Sequence, residues 1–242
     1  MWVIFKKEFA GYLYSLIAYM VIGVFLTAMG LLMWVFPGTS ILDYGFADMS
    51  TLFNTGPYVL LFLIPGITMR SFAEEKRMGT MELLLTKPLT DWQIVLGKFG
   101  AALALVMVAL APTLIYYYSV YQLGSPTGNV DTAGVMGSYL GLLFLSMIFC
   151  SAGILASSIS INQIVAFMMA AFLCFLLYVG FDSLSGLPMA TSWSLLIKQL
   201  GILYHYESLS RGLIDSRDVI YFLSVTWILL MITKTIIGSR QW

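Results

Sequence analysis

Charge is what this sequence has least of. Its 242 residues hold 12 Lys plus Arg and 12 Asp plus Glu, a charged share of 10%, where soluble domains carry about 25%. The apolar share is 60%. A chain so composed has too little polar surface to shield its apolar side chains from water, which excludes an ordinary soluble domain. The formal net charge of zero gives no electrostatic reason to bind nucleic acid. Histidine occurs once, at His205, and cysteine twice, at Cys150 and Cys174. Neither an H-E-x-x-H nor a C-x-x-C spacing can be built from them, so no metal centre and no disulfide framework is expected. No GxxxxGK[ST] run is present, so the chain has no phosphate-cradling loop and cannot hydrolyse ATP as a P-loop enzyme alone.

What the sequence has instead is long apolar runs. A helix needs about 20 mostly apolar residues to cross the hydrocarbon of a bilayer. Six segments qualify: 13–36, 51–69, 94–120, 134–159, 164–181 and 219–237. The first follows a basic pair, Lys6 and Lys7, and is too long for the apolar core of a cleaved signal peptide. The second is interrupted by Asn54, Gly56, Pro57 and Pro65, yet no charge falls between Asp48 and Arg70. Pro65 is expected to kink it, because proline removes a backbone donor. The fold class expected is all-α: a six-helix polytopic membrane protein forming one domain over residues 1–242. An interfacial helix at 2–11 precedes the spans, and short interfacial or re-entrant helices at 193–202 and 204–214 precede the last one. In the latter, Glu207 and Arg211 stand one turn apart, where an ion pair is expected.

The basic residues orient the bundle. With the N-terminus in the cytoplasm, inside segments hold Lys6, Lys7, Arg70, Lys76, Arg77, Lys87, Lys98, Lys234 and Arg240, and outside segments only Lys198, Arg211 and Arg217. That asymmetry follows the positive-inside rule, and an even number of spans puts both termini in the cytoplasm. The spans themselves are nearly free of ionisable groups, Lys234 lying close enough to an end to snorkel. An ATP-independent membrane carrier or channel would need charges near the midplane or a filter-like loop, and neither is visible. A membrane-embedded enzyme would need clustered nucleophiles, acids or metal ligands, and only Glu207, Asp215 and Asp218 gather outside. Neither rival is supported, and energy for transport would have to come from elsewhere. The small-residue face Gly134, Gly137, Ser138 and Gly141 is expected to pack inside the bundle rather than between subunits.

The most charged stretch is the inside connection 70–98. Gly79 breaks a first short helix, Thr80 can cap a second, and Glu82 falls in that helix's first turn, where a negative charge suits its dipole. Met81, Leu83, Leu84 and Leu85 are expected as exposed apolar teeth. Pro88 ends the helix, and Thr90 with Gln93 forms a T-x-x-Q capping box for the third span. The acidic residues Glu74, Glu75, Glu82 and Asp91 would be repelled by anionic headgroups, so a protein partner suits this element better than lipid.

The stretch E-E-K-R-x-G-T-x-E-L-L-L-T-x-P-x-T beginning at Glu74 resembles the coupling helix of type-2 ABC exporter permeases. The segment from Tyr204 to Tyr221 is similar to the gliding-motility-associated members. The resemblance implies an exporter permease of the cytoplasmic (inner) membrane without enzymatic activity, surrounded by membrane lipid. It implies a second permease, identical or different, and two copies of a separate ATPase that binds ATP and Mg. The chain itself would hold no cofactor. Glu74, Glu75, Lys76, Arg77, Gly79, Thr80, Glu82, Leu83, Leu84 and Leu85 would form the ATPase-coupling site. No catalytic or metal-binding residue is implied.

Overall fold

The computed structural model describes residues 1–85, 88–186 and 191–239. Lys87, Arg240 and Gln241 fall outside them, as do the side chains of Leu83, Leu84 and Leu85. Among the described residues the secondary structure is entirely helical. Six helical stretches are long and apolar enough to cross a membrane: Leu16–Trp34, Ser50–Arg77, Asp91–Leu123, Thr132–Ile159, Gln163–Ser185 and Ser216–Gly238.

Helix α1 (Trp2–Tyr14) lies ahead of the first span and runs three residues past the expected 2–11. Ser15, in an extended conformation, ends it and caps α2 (Leu16–Trp34) by accepting from the Ile17 N–H at 3.2 Å. A short α3 (Ile41–Tyr44) precedes α4 (Ser50–Thr68), which contains both Pro57 and Pro65. The departure from helix comes after Thr68 rather than at Pro65, and α5 (Ala73–Arg77) resumes beyond it. The connection then folds into α6 (Thr80–Leu85). The third span is broken at Pro112 into α7 (Asp91–Leu110) and α8 (Thr113–Leu123). That interruption follows from proline's missing N–H.

Helix α9 (Thr132–Ile159) is the most buried span and packs against α4, α7, α10 (Gln163–Phe175), α13 (Ile202–Ser210) and α14 (Ser216–Gly238). After α10 the fifth span widens into a π-helical stretch, Leu176–Gly180, and ends in α11 (Phe181–Ser185). Helix α12 (Thr191–Leu200) meets α13 at Gly201, a boundary shifted slightly from the one expected.

Small residues on α9 are spent inside the chain. A Cβ added at Gly137 would collide with the backbone of Leu209 and Gly212, and one at Gly141 would crowd Tyr206. Ser138 donates to the Ser210 carbonyl at 3.1 Å. The close approach therefore seats α13 on α9, as the sequence predicts. In the same way Gly97 of α7 lets α1 dock, since a Cβ there would stand 2.8 Å from Ile4 Cγ2. The expected Glu207–Arg211 ion pair does not form: the Arg211 guanidinium instead donates to the Glu207 backbone carbonyl at 3.2 Å.

The bundle has two distinct ends. At one lie α1, α5, α6, the start of α7 and the close of α14, where Trp92 stacks on Trp227 at 4.7 Å and Lys234 sits 5.4 Å over the Trp92 ring. At the other lie α13 and the start of α14, with the Tyr206 hydroxyl donating to the Phe53 carbonyl at 2.7 Å. Among the described residues Lys6, Lys7, Arg70, Lys76, Arg77, Lys98 and Lys234 belong to the first end, and Lys198, Arg211 and Arg217 to the second. Cysteines introduced at the exposed positions Glu82 and Asp131 should therefore react with a membrane-impermeant maleimide from opposite faces of sealed vesicles. Labelling of both from one face would contradict this arrangement.

Candidate functional site: the braced connection between the second and third spans

Between Thr68 and Ala73 the second span leaves the helix and exposes backbone groups that need partners. A buried amide left unmatched costs about 1–3 kcal/mol. Ser157, near the end of α9, meets three of them. Its Oγ accepts from the Phe72 and Ala73 N–H groups, both at 3.0 Å, and donates to the Met69 carbonyl at 3.0 Å. One residue on, the Ser158 carbonyl accepts from the Lys76 ammonium. The break is thus fastened to α9 on one side.

On its other side stands Lys98 of α7, only 1% exposed. Its ammonium donates to the Ser71 carbonyl at 2.6 Å and lies 3.0 Å from both Glu8 Oε1 on α1 and Glu75 Oε2 on α5. Lys7 completes the group, donating to Glu75 Oε1 at 3.2 Å, while the Tyr12 hydroxyl meets Ser71 Oγ at 3.2 Å. For Lys7, burial pulls the proton affinity down, but the Glu8 and Glu75 carboxylates outweigh it and the pKa is raised. Two carboxylates and two ammonium groups therefore bind α1, α5 and α7 into one polar joint beneath α6. A cavity of about 230 Å³ adjoins this joint, lined in part by Arg70, Glu74 and Ser15.

The expected coupling residues divide between this joint and the surface. Glu75 faces inward, and Lys76 reaches the end of α9. Arg77, Met78, Gly79 and Glu82 are exposed, with Glu74 and Thr80 half-buried. Gly79 has φ +68°, a left-handed turn that an L side chain rarely adopts. Two details differ from expectation. Thr80 is the first residue of α6 rather than its cap, and its hydroxyl donates back to the Glu75 carbonyl at 3.3 Å. Met81, expected as an exposed tooth, is buried at 4% exposure and anchors α6 to the bundle. The Thr90–Gln93 capping box forms in full, with N···O distances of 3.4 and 3.2 Å.

Sequence reasoning did not single out Lys98, Glu8 or Ser157. Lys98 did carry a signal, because an ionisable residue within an apolar span needs a partner. Its partners lie 90 and 23 residues away in the chain, which no local pattern reveals.

The connection between the second and third spans is thus a braced turn at one end of a six-span bundle, with Arg77, Met78 and Glu82 exposed. The sequence matches the family model described as "ABC-2 family transporter protein" over residues 2–237. The chain belongs to the ABC-2 transporter family. Among relatives of this ABC-2 chain is the "Probable multidrug ABC transporter permease YbhR" of Escherichia coli strain K12. It is 26% identical across 70% of this chain and 45% of its own length. The protein of the same name in Escherichia coli O157:H7 matches equally. The ABC-2 chain thus spans about half the length of the curated relatives it matches.

Removing one member of a buried ion pair typically costs about 3–5 kcal/mol, since its partner's charge is left stranded. Lys98→Met should accordingly destabilise the ABC-2 chain by several kcal/mol, read as a lower thermal midpoint in detergent or nanodiscs. Adding Glu8→Gln and Glu75→Gln to that variant should restore much of the loss. Strict additivity of the three substitutions would show that they do not share one joint.

Proposed function

We propose that this chain is the membrane-embedded permease subunit of an ATP-binding-cassette exporter, with residues 74–86 docking on a separate ATPase. The observation that carries the reading is the joint itself. The connection is tied by Lys98 and Ser157 to α7 and α9, yet presents Arg77, Met78 and Glu82 outward. A partner pushing on those side chains moves an element coupled to the spans rather than a slack loop. In this reading the ATPase is present in two copies and carries ATP and Mg. A second permease chain completes the complex, and the permease contributes neither cofactor nor catalysis. The connection faces the cytoplasm, and the chain resides in the cytoplasmic membrane with both termini inside.

Family membership supports an ATP-driven partner over an ion-coupled carrier. So does the placement of the charged groups within the spans. Lys98 and Asp218 sit near helix ends, Lys98 beside the Glu8 and Glu75 carboxylates and Asp218 beside the His205 ring, rather than free at a midplane. For the cargo, the relatives' description as a probable multidrug permease supports drug-like molecules. The likeness of the Tyr204–Tyr221 segment to gliding-motility permeases supports motility as a setting.

Truncating or charging a buried interface anchor commonly costs about 2 kcal/mol or more, and Leu84 lies in α6 between Gly79 and Pro88. Leu84→Asp should abolish co-purification with the ATPase while leaving the bundle folded. Glu82→Ala should lower transport more than assembly. Leu123→Asp, at the exposed last residue of α8, should leave association unchanged. The chain alone should hydrolyse ATP no faster than buffer. Wild-type recovery of the ATPase by Leu84→Asp would remove α6 as the docking element.

A further inference from the structure

At the end of the bundle away from the coupling connection, His205 of α13 makes two polar contacts. Its Nε2 lies 2.9 Å from the Gln199 backbone carbonyl in α12, and its Nδ1 lies 2.7 Å from Asp218 Oδ1 in α14. A carbonyl can only accept, so Nε2 must carry a hydrogen. The neutral ring then has a bare lone pair on Nδ1, and a carboxylate oxygen at 2.7 Å from it would be a second acceptor. That contact is attractive only if one further proton sits between the two atoms. Asp218 is 5% exposed, and its other oxygen, Oδ2, is buried with no hydrogen-bond partner. The carboxylate therefore depends on the imidazolium for its compensation. Asp218 also lies in the first turn of α14, where the helix dipole favours a negative charge. The ring stacks on Tyr221 at 4.0 Å, a face that attracts a cation.

We propose that His205 and Asp218 hold one proton between them as a latch, so that the packing of α12 and α13 against α14 responds to pH on that side of the membrane. The latch borders a cavity of about 840 Å³, whose wall also includes Arg211, Arg217, Asp215 and Tyr204. The remaining charges nearby are the exposed Lys198 and Glu207, and Asp182 where α11 meets Gly201. Helix α9 contributes no acidic or basic residue to this contact.

The direction follows from the proton count. Raising the pH removes the shared proton, sets two lone pairs against each other and strands a buried carboxylate. Lowering it protonates the carboxyl group, but Nδ1–H still donates to an oxygen. The latch therefore opens on the alkaline side only.

Spin labels on the exposed positions Leu195 in α12 and Leu223 in α14 report the separation in nanodiscs. Cys150 and Cys174 are fully buried and do not compete for label. The full chain should give one narrow distance at about pH 6 and a second, longer population at about pH 9. A control pair on Val24 and Met168 should not change. Asp218→Asn should stay narrow at both pH values, because its amide N–H can donate to neutral Nδ1 without an extra proton. If that variant does not fold, His205→Gln, whose amide donates to Asp218 at any pH, should show the same constancy. A narrow distance in the unsubstituted pair at about pH 9 would overturn the proposal. So would a longer population in the amide variants equal to the one expected of the unsubstituted pair.

Discussion

A span that stops being a helix near the membrane surface must find partners for its backbone, and in this chain one serine hydroxyl does most of that work. Ser157 receives two N–H groups and returns its own hydrogen to a carbonyl, closing the interruption between Thr68 and Ala73. Without such a partner the break would be costly at this depth. With it, the chain can turn out of the second span, form α5 and α6, and still stay registered to α9. The Lys98 ammonium does the complementary work from α7, donating to the Ser71 carbonyl and to the Glu8 and Glu75 carboxylates. The connection between the second and third spans is therefore an extension of the bundle.

That construction bears on how an ABC-2 protein could use a partner's force. Glu8 and Lys7 tie α1 to the same joint, so α5 is linked through it to both α1 and α7. Discrete packed arrangements transmit small shifts better than slack chain does. The opposite end is held differently, by the close approach of α13 to the glycine face of α9 and by the His205–Asp218 contact. Between these polar joints the bundle is apolar, and in the fifth span the π-helical stretch departs from regular α geometry.

Much of this was legible in the sequence. Six apolar runs announced six spans, the basic residues sorted the two ends, and Thr90 with Gln93 marked the start of α7 to the residue. Gly79 announced the turn between α5 and α6 because only glycine enters the left-handed region without strain. What was hidden depended on residues distant in sequence. Ser157 looks like any small residue in a span until Phe72 and Ala73 are found beside it. Lys98 looked like one more basic residue at an inner boundary, although α7 begins seven residues before it. Met81 shared an apolar pattern with its leucine neighbours, and periodicity over six residues could not tell which side of so short a helix would be buried. The break at Pro112 was visible in principle, but an unbroken apolar run on both sides masked it.

The connection keeps its place on the bundle only if Ser157 holds the break. Hydrogen exchange at the Phe72 and Ala73 amides measures that directly, by NMR on the chain in nanodiscs. Protection should be strong in the unsubstituted chain and should fall by at least ten-fold in Ser157→Ala, the equivalent of about 1.4 kcal/mol, while amides in the middle of α9 keep theirs. Unchanged protection of Phe72 and Ala73 in Ser157→Ala would contradict it.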